Sequence, residues 1–269
     1  MKRYKYKILV LTDLKSTTKS TLKSTVSLAK MLNASVDLFH VKKPTDVVKQ
    51  ENQLATMRSI SREHVSTKKE LQGLTEMVAK DYDFKINSAF AFGNIKAEIS
   101  SYIKKSNPDI IVLGKRKQNP LRLSGDNVTD YVLKSFKGSI LITPNSNVIE
   151  PNKGLSLGLL NNSEDVLERS IGQDLLEHTN APLKAFKIVK NSGNAEPVGT
   201  IENGKTLEFI FEENDNSLKN LSNYLVKNDI NLAYLKRERS SNKSKTQSIS
   251  QIIGKLDIPV LLSNEQEVA

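Results

Sequence analysis

The chain of 269 residues contains no cysteine and no tryptophan. Without cysteine there is no disulfide framework and no thiolate metal site. Its three histidines, His40, His64 and His178, share no close spacing, so a zinc site is not expected either. No apolar run approaches the roughly 20 residues that cross a bilayer. The opening "MKRYKYKILVLTD" turns straight into a strand-like run and lacks the features of a secretory signal. The expectation is therefore a cytoplasmic protein with no membrane association. Walker, G-x-S-x-G and H-E-x-x-H patterns are missing too, and nothing marks a dedicated nucleophile or general base. No catalytic and no metal-ligating residue is expected.

Charge is plentiful but uneven. Lys and Arg number 40 against 30 Asp and Glu, a formal net charge of +10. Residues 1–150 hold 26 of those cations and 14 acids, or +12; residues 151–269 hold 14 and 16, or −2. Such asymmetry can signal a nucleic-acid partner. Here the lysines are scattered singly along helix-like stretches, aromatics are few, and no RNA- or DNA-binding pattern accompanies them. A solvated basic surface is the better reading.

Along the first half, apolar runs alternate with helical periodicity. "YKILVLTD" (6–13), "SVDLFHV" (35–41), "KINSAFAF" (85–92), "DIIVLG" (109–114) and "SILIT" (139–143) read as five strands. The continuous apolar character of the first suits a parallel strand buried on both faces. Between them lie a helix carrying Leu22, Val26 and Ala29 on one stripe, a long helix over 46–80, and a helix over 95–106. This alternation implies crossover connections and a parallel sheet.

"PNSNVIEPNKG" (144–154) is a polar hinge. After it the pattern restarts. "LSLGLLN" (155–161) echoes the first strand, "NSLKNLSNYLVKNDINLAYLKRE" (216–238) aligns without gaps on "NIKAEISSYIKKSNPDIIVLGKRK", and "ISQIIGKLDIPVLLS" (249–263) matches "TDYVLKSFKGSILIT". This is an internal repeat. Its second copy is reduced: a turn-rich segment, 191–205, stands where the first copy has its long helix, and "RERSSNKSKTQS" (237–248) reads as a loop.

These motifs resemble the universal stress protein family, closely over about residues 4–144 and more faintly over 155–263. The resemblance implies an α/β fold of two tandem, open, parallel five-stranded sheets flanked by helices, of the adenine nucleotide alpha hydrolase type. Residues 1–147 would form one universal-stress-type domain, with the extra helix and the nucleotide pocket. Residues 148–269 would form a degenerate, structural one. The family's last strands commonly pair between domains. The same contact is expected here within the chain, between "SILIT" and "PVLLS", with a homodimer of such chains beyond it.

The resemblance also implies an adenine-nucleotide (ATP) site. Asp13 falls where the family's aspartate faces adenine and ribose, and Val41 where a backbone contact to adenine is made. Gly114 matches the first glycine of the phosphate loop, and Val128 and Thr129 open the helix that follows it. Lys115, Arg116, Lys117, Gly125 and Asn127 complete the candidate cofactor-binding set. The loop "GKRKQNPLRLSGDN" (114–127) departs from the family pattern. Lys117 replaces the second glycine, and Asp126-Asn127 replaces the Gly-Ser pair. Glycines let backbone amides approach phosphate closely, whereas Asp126 repels it. Lys115, Arg116, Lys117 and Arg122 offset that as flexible charges rather than a preformed cradle.

In the plainer reading, Asp126 or Asn127 caps the helix and the basic loop is a solvated edge. The second copy has Asn161 for Asp13 and Lys236 for Gly114, so no nucleotide is expected there. Three functions remain open: a stress-response binding or signalling module, a scaffold acting through dimerisation and protein contacts, and a slow ATP hydrolase.

Overall fold

The computed structural model describes residues 3–44, 53–116, 128–151, 153–161, 171–179, 182–189, 206–213, 216–237 and 243–263. Strand β1 (Tyr6–Thr12) lies between β2 (Ala34–Lys42) and β4 (Ile110–Gly114), parallel to both; Ile8 sits level with Val36 on one side and Ile110 on the other. Ile8, Leu9 and Val10 are at most 1% exposed, which is why this strand is apolar at successive positions instead of alternating. Strand β3 (Asn87–Phe92) adds outside β2, and β5 (Ser139–Thr143) outside β4. Helices α1 (Thr18–Met31) and α2 (Gln53–Tyr82) pack on one face, with α3 (Ile95–Ser106) and α4 (Val128–Ser135) on the other.

Local chemistry explains these elements. Helix α1 is rich in serine and threonine, yet Ser24, Thr25 and Ser27 are buried. Thr25 donates to the Thr21 carbonyl and Ser27 to those of Lys23 and Ile149, so few hydroxyls are left to water. Helix α3 starts at Asn94, whose side chain accepts the amides of Lys96 and Ala97 at 3.1 and 3.2 Å. It stops at Asn107, which turns left-handed at φ 45° and donates back to the Ile103 carbonyl.

The second half repeats the order. Strands β6 (Leu157–Leu160), β7 (Leu183–Val189), β8 (Thr206–Glu212), β9 (Leu232–Leu235) and β10 (Val260–Leu262) occur with helices α5 (Ile171–Leu176), α6 (Ser217–Lys227) and α7 (Lys243–Lys255). The strands run β3-β2-β1-β4-β5-β10-β9-β6-β7-β8. Reading inward from either edge gives the same sequence of roles.

The two five-stranded sheets are therefore not separate: they form one ten-stranded sheet. The seam is antiparallel, with Val260 opposite Ile142, Leu261 opposite Leu141 and Leu262 opposite Ile140. All six residues are at most 2% exposed. The expected pairing of "SILIT" with "PVLLS" is the seam itself, and it removes two strand edges from solvent. Polar contacts reinforce it: Asn147 donates to the Asp257 carbonyl at 2.8 Å, and Arg237 to that of Gly138 at 2.9 Å.

Other boundaries differ from the sequence reading. The described part of the long helix runs to Tyr82, two residues past 80; positions 46–52 lie outside the described residues. Helix α7 begins at Lys243, inside the stretch read as a loop. "KSKTQS" contains neither proline nor glycine, and Ile253 and Leu256 behind it are buried, so packing of the helix draws the polar residues into helical form. Helix α5 was not anticipated. On the sheet face that α2 covers in the first half, β7 and β8 carry an ion pair, Lys187 with Glu208. Among the described residues no long helix packs on that face of the second half, which suits a charged pair.

Candidate functional site

In an open parallel sheet a crevice forms where neighbouring strands send their connections to opposite faces. In this chain that point lies between β1, leading into α1, and β4, leading into α4. A cavity of about 540 Å³ opens there, at the carboxyl ends of β1, β2 and β4. Its volume falls within the usual range of ligand pockets, about 300–1,000 Å³.

The floor is apolar, built from Val10, Leu11, Phe39, Ile99 and Leu113, with Ile95 and Val128 beside them. The rim is polar. After Thr12 the chain turns sharply, placing Leu14 in the left-handed region at φ 57°, where a leucine is strained by about 1–2 kcal/mol. The turn is held by the Thr12 hydroxyl, which accepts the Leu14 amide at 3.0 Å and shares a 2.9 Å hydrogen bond with the Thr18 hydroxyl. Asp13 is thereby presented at the cavity with one carboxylate oxygen accepting the Lys15 amide at 3.1 Å. Its other oxygen meets Nε of Arg116, also at 3.1 Å.

His40 lines the cavity from the end of β2, and its Nδ1 lies 2.9 Å from the Thr12 carbonyl. A carbonyl can only accept, so Nδ1 carries the proton. Burial pushes the imidazole below its ordinary pKa, against the bond to Thr12 that raises it, and neighbouring Lys42 lowers it further. The ring is neutral at pH 7. Lys42, Lys43 and, from the long helix, Glu70 complete the outer wall; Lys42 is ion-paired with Glu63 of α2.

Of the residues singled out in the sequence, Asp13, Val41, Gly114, Arg116, Val128 and Thr129 converge on this cavity. Lys115 does not line it. Its ammonium donates to the Leu256 carbonyl at 2.8 Å, at the end of α7 in the other half, and burial pushes its pKa down. Lys117, Gly125 and Asn127, with Asp126 and Arg122, lie outside the described residues. Gly114 has a neighbour the sequence did not disclose: a methyl group there would lie 2.8 Å from the Thr21 hydroxyl and 2.9 Å from that of Thr17.

The sequence reading missed Thr17, Thr18, Thr21, Lys42, Lys43 and Glu70 as lining residues. The threonines had a signal, since spacings of one and three place them together on the first turn of a helix starting beside Asp13. Glu70 had none.

The His64 ring lies 4.8 Å from that of Phe90. Among the described residues there is no cluster of three or more His, Asp or Glu able to hold a metal, and no helix long and apolar enough to cross a membrane.

The strand order and the cavity at its reversal point define an open-sheet α/β protein with a crevice in its first half. The universal stress protein family model matches residues 5–144, more than half of the chain. The chain belongs to the universal stress protein family and is a stress-response protein of that kind.

No curated protein sequence matches it. Among solved structures, a universal stress protein from Archaeoglobus fulgidus DSM 4304 aligns with a TM-score of 0.66 at 13% identity, over 97% of this chain and 98% of that one. A universal stress protein from Pseudomonas aeruginosa UCBPP-PA14 gives 0.54, again at 13% identity, over 96% and 92%. At these identities the likeness shows the fold. Both alignments run through the two halves alike, as the tandem strand order requires. A universal stress protein in complex with cAMP aligns over 54% of this chain and 100% of that one, with a TM-score of 0.40 at 15% identity.

Proposed function

We propose that the protein is a stress-response binding module that takes an adenine nucleotide, ATP being the first candidate, in the cavity of its first half. The observation that supports this most is convergence: Asp13, Val41, Gly114 and Val128, far apart in sequence, line one cavity at the strand-order reversal. The apolar floor suits a purine, with Asp13 able to accept from ribose hydroxyls or an amino group. Arg116, two residues beyond Gly114, puts positive charge at the side of the cavity where phosphates would lie. On this reading residues 1–147 are the ligand-binding domain and 148–269 the structural one, in a cytoplasmic homodimer.

Titration calorimetry with ATP, with and without magnesium, tests the proposal. Binding in the micromolar range, weakened at least tenfold by Asp13→Ala, is the expected result. A dissociation constant weaker than millimolar and unmoved by that change would favour a scaffold that works through protein contacts. The scaffold reading draws on a specific feature: the carboxylate expected to meet the ligand is engaged by Lys15 and Arg116.

A further inference from the structure

Asp13 and Arg116 follow the ends of different strands, β1 and β4, and meet at the cavity at 3.1 Å. The two are unequally held. Asp13 is 20% exposed and anchored by the Lys15 amide, whereas Arg116 is 59% exposed. A ligand that takes the Oδ2 position held by Arg116 displaces the guanidinium, while Oδ1 keeps the Lys15 amide; the carboxylate stays and the arginine moves. Once displaced, the guanidinium needs a new anion. A phosphorylated ligand brings one and an uncharged nucleoside does not. Lys115, the neighbouring cation, is turned away to the Leu256 carbonyl, so of this pair it is Arg116 that lines the cavity.

We infer that Arg116 sets the charge selectivity of the cavity, guarding Asp13 by an ion pair and exchanging that partner for the ligand's phosphate. The inference rests on the nucleotide reading above and deepens it. An uncharged nucleoside binds against the ion pair and gains nothing in return. A nucleotide recovers the loss through a charge-assisted, fork-shaped contact. Removing the guanidinium therefore acts on the two ligands in opposite directions, which mere loosening of the loop does not do.

The test is calorimetric titration of wild type, Arg116→Gln and Arg116→Lys with adenosine and with ATP. In Arg116→Gln, adenosine should bind about two- to fivefold more tightly, the value of a partly exposed ion pair. ATP should bind about five- to tenfold more weakly, so that selectivity for the nucleotide falls at least tenfold. Arg116→Lys, which keeps the charge and loses the fork, should fall between. If both ligands weaken together in Arg116→Gln, the residue only orders its loop; the inference fails while the nucleotide reading stands. If wild type binds neither ligand, the nucleotide reading fails and takes the inference with it.

Discussion

Replacing Gly114 with alanine should destabilise the protein even though the added methyl group is small. The new carbon would lie 2.8 Å from Oγ1 of Thr21, 2.9 Å from Oγ1 of Thr17 and 3.3 Å from the Thr17 β-carbon. Ordinary carbon–oxygen contacts are several tenths of an ångström longer, and Thr21 does not yield easily. Thr21 is 3% exposed and its hydroxyl is tied to that of Thr143 at 2.9 Å. Relief requires α1 to move away from β4, and overpacking of this kind costs about 1–3 kcal/mol. Urea denaturation should show a lower midpoint with an unchanged slope.

The same substitution in a Thr17→Ala, Thr21→Ala background should cost at least about 1 kcal/mol less, because the obstructing hydroxyls are gone. A Gly114→Ala cost below about 0.5 kcal/mol, or an equal cost in both backgrounds, would refute the claim that α1 uses the space left by this glycine.

His40 should contribute a pH dependence to stability. Its folded-state pKa lies below the ordinary imidazole value of about 6.5, so between the two values the unfolded chain holds a proton that the folded chain does not. Stability is complete above the unfolded value and falls as pH drops through that window. Urea midpoints should decline from pH 7 toward pH 5, and His40→Gln should flatten that part of the decline. Equal slopes in both proteins would count against the assignment. Asn161→Asp should leave stability within about 1 kcal/mol, since the Oδ1 atom that accepts the Ile188 amide at 3.1 Å is retained. It should create no second site; calorimetry giving two nucleotides per chain would contradict this.

The first-half strands were legible because buried parallel strands are apolar at successive positions, as Ile8–Leu11, Ile110–Leu113 and Ile140–Ile142 are. The repeat was legible because "NSLKNLSNYLVKNDINLAYL" kept the same apolar spacing as its first-half partner. What escaped had local sequence at odds with its surroundings. Residues 243–248 are polar all round and look like a loop, but the isoleucines that follow pull them into α7. Asp13 stood out as a carboxylate at a strand end, and Arg116 as a cation in a basic run. Nothing in either segment announced that the two would meet, because contact between residues 103 positions apart is set by the β1–β4 register. Lys115 shows the converse: next to Arg116 in sequence, it turns to the other half because successive side chains at a strand end point to opposite sides.

The reduced second half keeps a particular subset of the first half's features, and the subset is informative. Asn161 occupies the position of Asp13, yet its side chain accepts the Ile188 amide and its own amide donates to the Phe186 carbonyl at 2.8 Å. The residue fastens β6 to β7 instead of facing a ligand. Lys236 stands where Gly114 does in the first half, so close approach of a helix or phosphate to that backbone is no longer provided for. The closing strand, by contrast, is intact: Val260, Leu261 and Leu262 are buried against β5 to within 1% exposure. Among the described residues the seam positions match the first half, whereas Asn161 and Lys236 depart from Asp13 and Gly114. That is the pattern expected if the second half contributes by covering β5 and anchoring Lys115 through the Leu256 carbonyl, thereby steadying the backbone from which Arg116 reaches Asp13.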